Sequence, residues 1–460
     1  MSPGNAGAIG ADLVIRNGTV VTPDSIGGSD IAIRDGRFVA IAERGGLDLR
    51  ALRLEGAEVV DAKGLHVLPG VIDAHVHFRE PGLEHKEDWA SGSEAAVMGG
   101  VTTVLEMPNT VPPTDSAEHV TRKQRLAEGR TWVDFGLFGL VGRGGLGRMR
   151  PMAQAGVVGF KCFLGETTGA LPAPDDMELV SALREAAVLG LRVGFHAEDR
   201  ALIALLIEAA RAAGRTDAMV HVETRPVEAE VSAIDHACRL ASEAGCAIHI
   251  HHLSSRVGLA AVEAWRTFGV DITAEVTPHH LLLSTADVDR LGSVTRVNPP
   301  LRPPGEGAAL MEGVAAGRIE SVASDHAPHT RAEKSGGRVW QVASGFSGVE
   351  VLLPLLLTAV RAGQLTLHDV VRVTSEGPAR AWGLCPRKGG IAVGADADLT
   401  VVDMRREGVI DQDRLHGKQP VTPFHGRRTV GAPVATIIRG HVVMRDGRLV
   451  GDPMGRMVGR

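Results

Sequence analysis

The sequence predicts an α/β protein, a (β/α)8 TIM-like barrel with a small sheet-based domain contributed by both chain termini. Three observations lead there. Between Gly64 and Leu384, eight apolar runs alternate with alanine-rich stretches of helical period. Residues 11–42 read as short alternating strands divided by Asn-Gly and Asp-Gly pairs, the strongest local hairpin signals. The same texture returns in 389–404 and 433–451, so the two ends are expected to meet in one sheet-based unit.

The expected division is residues 1–63 and 385–460 for the two parts of the terminal sheet-based domain and 64–384 for the barrel. In chain order the eight runs are VLPGVIDAHVHF, VTTVLEMP, VDFGLFGLV, VVGFKCFL, LRVGFHAED, CAIHIHHL, VDITAEVTPHH and ESVASDHAP. Stretches such as DDMELVSALREAAVLG and SRVGLAAVEAWRTFG supply the helices between them. An open doubly wound sheet is the rival, but no G-x-G-x-x-G follows the first run. ALIALLIEAARAAG (201–214) is too short to span a bilayer and reads as a core-facing helix.

Composition narrows the function classes. The 460 residues carry a net charge of -6, which argues against nucleic acid and anionic lipid as partners. The four cysteines have no paired short spacing, and MSPGNAGAIG lacks a basic region followed by an apolar one, so a cytoplasmic home is expected. Tyrosine is absent, which excludes any mechanism that needs a phenol from this chain.

Histidines and acids gather at the carboxyl ends of the predicted strands, the face on which barrel active sites are built. His75 and His77 close the first run. Residues two apart on a strand point the same way, so both imidazoles would face the barrel mouth and could share one metal ion. Alone, such a pair could equally be two hydrogen-bonded surface histidines. Lys161 lies inside an apolar run, where a buried ammonium needs a partner. Either it snorkels, or as a neutral amine beside dications it adds carbon dioxide to form a bridging carbamate. His196, His252 and Asp325 close the fifth, sixth and eighth runs. The set suits two divalent ions: His75, His77 and Asp325 on one, His196 and His252 on the other, and carbamylated Lys161 between. Water held by such ions has its pKa drawn toward neutrality, with Asp325 suited to take its proton and pass it to a leaving nitrogen. By alternation His251 points opposite to His252, with His249 on the His251 side, and both read as structural. His279 and His280 read either as partners that orient ligands or as loop residues. Cys162 should point into the helical layer as packing.

The motifs GVIDAHVHFREPG, GGVTTVLEMPNT, GFKCFLGET, HAED, HHLS, VNPPLR and SDHAPH, in this order, resemble the cyclic-amidohydrolase branch of the amidohydrolase superfamily, most closely the dihydroorotases. The resemblance implies that the terminal domain is a small composite β-sandwich built from both chain ends, and it implies two zinc ions per chain, with carbon dioxide held as a carbamate on Lys161. It implies reversible hydrolysis of the cyclic amide of (S)-dihydroorotate to N-carbamoyl-L-aspartate in pyrimidine biosynthesis. A homo-oligomer, dimer or tetramer, acting on a small cyclic amide is expected.

Arg79 lies two residues beyond His77, on the same side if the extended conformation continues, and could grip a substrate carboxylate through two parallel hydrogen bonds. Alternatively it pairs with Glu80 or Glu84. The resemblance assigns Asn109 and His329 to the same carboxylate, and Asn298, Ser344 and Gly345 to the pyrimidine ring. Hydantoinases and dihydropyrimidinases would call for a tyrosine hydroxyl that this chain lacks. GFK segments nonetheless also occur in allantoinases and some hydantoinases, so an allantoinase or hydantoinase-type activity is the alternative. A non-catalytic amidohydrolase-like scaffold is a further one, although such proteins would be expected to have lost ligands.

Overall fold

The computed structural model describes residues 12–165, 167 and 171–459; the MSPGNAGAIG segment and Glu166 of GFKCFLGET lie outside the described residues. Eight parallel strands, Val71–Val76, Val101–Glu106, Asp134–Val141, Gly159–Phe163, Val193–His196, Ile248–Ile250, Ile272–Val276 and Ser321–Val322, pair in chain order. The barrel closes between its ends through a parallel bridge from Val76 to His326, where the His77 N–H donates to the His326 carbonyl at 2.7 Å.

Strand pleat decides what the barrel contains. Phe160 and Cys162, Val193 and Phe195, Ile248 and Ile250, and Ile272, Ala274 and Val276 all pack with the surrounding helices in one apolar cluster. The intervening positions therefore face inward, and they are Lys161, Gly194 and His196, His249 and His251, and Glu275. Cys162 packs among the helices as expected, and burial pushes its thiol up to about 12. Trp382 enters the interior from below, its ring stacked on His251 and edge-on to Phe138.

The predicted helices form where their caps direct. Asp176–Leu189 starts at a capping box between Asp175 and Glu178 and stops at Gly190 with φ 66°. Ser255 caps Arg256–Thr267. Arg200–Ala212 is also helical, but it is not core-facing: only Ile203 is fully buried, and Leu205 is 64% exposed. Its apolar residues cover more of the helix circumference than the neighbouring layer meets.

Both chain ends join one nine-stranded sheet. Leu399–Val409 pairs antiparallel with His66–Pro69, which pairs parallel with Leu13–Val21. The run 67–78 is thus two strands, one in this sheet and one in the barrel, divided at Gly70. A side chain at Gly70 would come within 2.3 Å of Thr102 Oγ1 and 2.6 Å of Asp398 Cβ, so only glycine passes. Beneath the barrel, Lys388 reaches Asp134 at 2.8 Å and Asp398 at 2.5 Å, tying the carboxyl-terminal strands to the third barrel strand. Among the described residues no helix is long and apolar enough to cross a membrane.

Candidate metal centre

His75 ends the first barrel strand, and His77 lies just past it. His75 Nδ1–H donates to Glu275 at 2.5 Å, and His77 Nδ1–H donates to the Asn109 side-chain oxygen at 2.8 Å. Each ring thereby keeps a bare Nε2, and these atoms stand 3.4 and 3.3 Å from the same Asp325 oxygen. His196 Nε2–H donates to Glu198 at 2.8 Å, which leaves its Nδ1 bare, 3.0 Å from His252 Nε2. The two imidazole pairs are adjacent, with the His75 and His252 rings 5.3 Å apart.

Burial holds His75, His77 and His252 below the usual histidine range, so they are neutral and can donate lone pairs. Burial also brings Lys161 down to about 7, against the pull of Glu275 and Asp325. Its Nζ has no hydrogen-bond partner among the described residues and sits 5.1 Å from the Phe163 ring centre. Burial raises Asp325, while His75 and Lys161 lower it. These features fit divalent ions well: imidazole nitrogens face one another or a carboxylate with nothing between, and an orphaned amine has its charge suppressed. His75, His77 and Asp325 could hold one ion, and His196 and His252 a second, with Lys161 nearby as the candidate carbamate.

Backbone conformation completes the constellation. Arg79, His252 and Asp325 have φ of 66°, 39° and 48°, a left-handed region rarely adopted by such residues. The extended chain does not continue to Arg79, because the strand ends at Val76; a left-handed turn, not alternation, carries its side chain to the cavity. His252 follows the same logic. Alternation keeps His249 and His251 inside the barrel, and the chain then leaves the strand and turns His252 into the cavity.

The cavity, open to solvent, is lined by His75, His77, His196, His252 and Asp325 on one side. Arg79, Asn109, Thr167, Asn298, Ser344 and Gly345 form much of the rest. Arg79 is 2% exposed. Glu80 pairs with Arg130 at 2.6 Å and Glu84 accepts from the Gly82 N–H, so neither supplies the expected alternative partner. No carboxylate among the described residues lies within ion-pair distance of Arg79, whose side-chain contacts are the Pro328 carbonyl at 3.3 Å and His329 Nε2 at 3.2 Å. His329 stands behind the cavity wall, its Nε2 3.0 Å from the Ser344 carbonyl. A Cβ at Gly345, φ 119°, would meet Ala327 at 2.7 Å, so glycine is required beside Ser344. His279 and His280 are both buried and touch no ligand; His280 instead holds the Pro299 carbonyl at 3.1 Å, next to Asn298.

A model of the amidohydrolase family matches residues 66–279 and 300–443. The chain belongs to the amidohydrolase family. This amidohydrolase is 42% identical to an allantoinase of Rubrobacter xylanophilus over 451 residues, 97% of each chain. It is 41% identical to a dihydroorotase of Methanothermobacter thermautotrophicus over 86% of this chain and 88% of the other. The solved L-hydantoinase (dihydropyrimidinase) of Arthrobacter aurescens superposes with a TM-score of 0.94 at 34% identity, covering 98% of this chain and 100% of that one.

Four functional candidates went unnoticed in the sequence. Glu275 joins His75, His251 at 3.0 Å and His249 at 3.2 Å. Glu198 holds His196 and is itself held by Arg225 at 2.6 Å. The Thr167 hydroxyl, which accepts from Asn109 Nδ2 at 3.1 Å, lines the cavity, and Lys86 lies behind His329. A glutamate inside the apolar run VDITAEV is the same signal that exposed Lys161 and could have revealed Glu275.

Proposed function

We propose that this amidohydrolase is a dihydroorotase, opening the cyclic amide of (S)-dihydroorotate to N-carbamoyl-L-aspartate with two zinc ions and a carbamate on Lys161. The observation that carries the reading is Arg79, a buried guanidinium without a carboxylate partner among the described residues, at the wall of the cavity that holds the candidate ligands. An uncompensated buried cation calls for an anion, and dihydroorotate carries a carboxylate on its ring where allantoin and hydantoin carry none.

Two divalent ions would activate water and polarise the scissile carbonyl. This chain's residues then have distinct tasks. His75, His77, His196, His252, Lys161 and Asp325 hold the ions, and Asp325 moves the proton from water to the leaving ring nitrogen. Arg79, Asn109 and His329 bind the carboxylate, while Asn298 and the Ser344–Gly345 turn meet the ring. The buried Asn298 Oδ1, without a hydrogen-bond partner among the described residues, is suited to accept from a ring N–H.

Identity to an allantoinase over nearly the whole of both chains favours allantoin as the second reading. A panel of dihydroorotate, allantoin, hydantoin and dihydrouracil, run with the zinc-loaded protein, separates them. Turnover of dihydroorotate above the others is expected; turnover of allantoin or hydantoin with none of dihydroorotate rejects the assignment. We further propose assembly as a homodimer or homotetramer, which light scattering would test.

A further inference from the structure

We propose that Lys86 is a positioning residue of the carboxylate subsite, one that makes His329 a hydrogen-bond donor; this rests on the dihydroorotase reading. Lys86 is 7% exposed, and its Nζ is 3.1 Å from His329 Nδ1 and 2.8 Å from Glu333 Oε1. Glu333 is fixed in turn by the capping box it forms with Thr330 at the start of Arg331–Lys334. Lys86 therefore links the loop after the first barrel strand to the loop after the eighth.

The two sides of the His329 ring admit one arrangement. An ammonium only donates, so Nδ1 must be the acceptor toward Lys86. A carbonyl only accepts, so Nε2 must carry the hydrogen toward the Ser344 oxygen 3.0 Å away. Burial, together with Arg79, Lys86 and Lys334, keeps the ring from taking a second proton. With Nε2 protonated, the 3.2 Å approach of Arg79 to it is not a hydrogen bond but two N–H donors brought together. In this tautomer the ring holds the Ser344 carbonyl from behind the cavity wall, and the same N–H can turn from that carbonyl to join the Arg79 guanidinium on the two oxygens of a carboxylate. Without Lys86, the Glu333 carboxylate 3.8 Å from Nδ1 competes with the Ser344 carbonyl for the ring hydrogen and draws it to Nδ1, and a ring protonated there would offer its Nε2 lone pair to the substrate anion.

The test compares wild type, Lys86→Met and Lys86→Arg, all zinc-loaded. The His329 tautomer is read by nitrogen-15 NMR of histidine-labelled protein, assigned by difference from His329→Gln. Wild type is expected to show the Nε2–H form, and Lys86→Met to lose it. KM for dihydroorotate should rise about tenfold or more with kcat within about threefold, and Lys86→Arg should recover part of the loss. A purely structural role would instead lower the melting temperature and kcat together. An unchanged tautomer in Lys86→Met, or an unchanged KM, overturns the inference. If wild type does not hydrolyse dihydroorotate, the functional reading fails separately, and the tautomer comparison still decides the role of Lys86.

Discussion

Replacing Arg79 by methionine should weaken substrate use and strengthen the empty protein at once. In the fold its guanidinium is pulled from the ordinary arginine range down to about 10, chiefly by burial, with Glu106 and Asp325 offsetting only part of the effect. A shift of that size corresponds to about 3 kcal/mol by which burial disfavours the charged form, present throughout neutral pH and relieved only as the pH climbs past 10. A substrate carboxylate would recover it through two charge-assisted hydrogen bonds, each worth ~1.5–3 kcal/mol. Arg79→Met should therefore lower kcat/KM for dihydroorotate by about 10²–10³-fold, mostly through KM. Its melting temperature should hold or rise, and its zinc content should not change. Steady-state kinetics, calorimetry and metal analysis on one preparation give all three quantities. A loss under about tenfold, or a drop of several degrees in melting temperature, would refute the account of Arg79 as a cation awaiting the substrate anion.

Other substitutions probe the supporting structure. Glu275→Gln removes the carboxylate that three histidines share, and zinc affinity measured by competition with a chelator should fall about 10–100-fold. Lys388→Met leaves Asp134 and Asp398 buried beside one cation fewer, and should destabilise the protein by about 3–5 kcal/mol in denaturant titration at neutral pH. Burial opposes the charge on Lys388, but Asp134, Asp398 and Asp396 hold its pKa above the usual 10.5. Its contribution is thus full below about pH 10.5 and lost above it, so wild type should lose an alkaline increment of stability that the variant never had. Gly345→Ala should lower stability by about 1–3 kcal/mol and raise KM, because its Cβ meets Ala327 and its φ suits only glycine.

The sequence exposed those parts of the site that depend on period and local composition. His75, Lys161 and His196 sit at inward positions of strands whose outward positions are apolar, a pattern that alternation makes legible. Arg79 and His252 were expected at the mouth for a reason the structure replaces, since each arrives there through positive φ after its strand has ended. Cross-strand partners were invisible. Glu275 meets a histidine 200 residues away, and nothing local marks that pairing. Lys86 lies in EHKED, which reads as a solvated charged loop, and only closure of the barrel brings it against His329. Helix Arg200–Ala212 shows the converse failure, since an apolar stripe foretold a helix without saying how much of it a neighbour would cover.

Anomalous diffraction at the zinc edge from crystals grown with zinc and bicarbonate tests the central claim most directly. The account predicts two peaks per chain, one among His75, His77 and Asp325 and one between His196 and His252, with carbamate density joining Lys161 to both. No peak at the barrel mouth, or zinc bound only by residues outside these six, would contradict it.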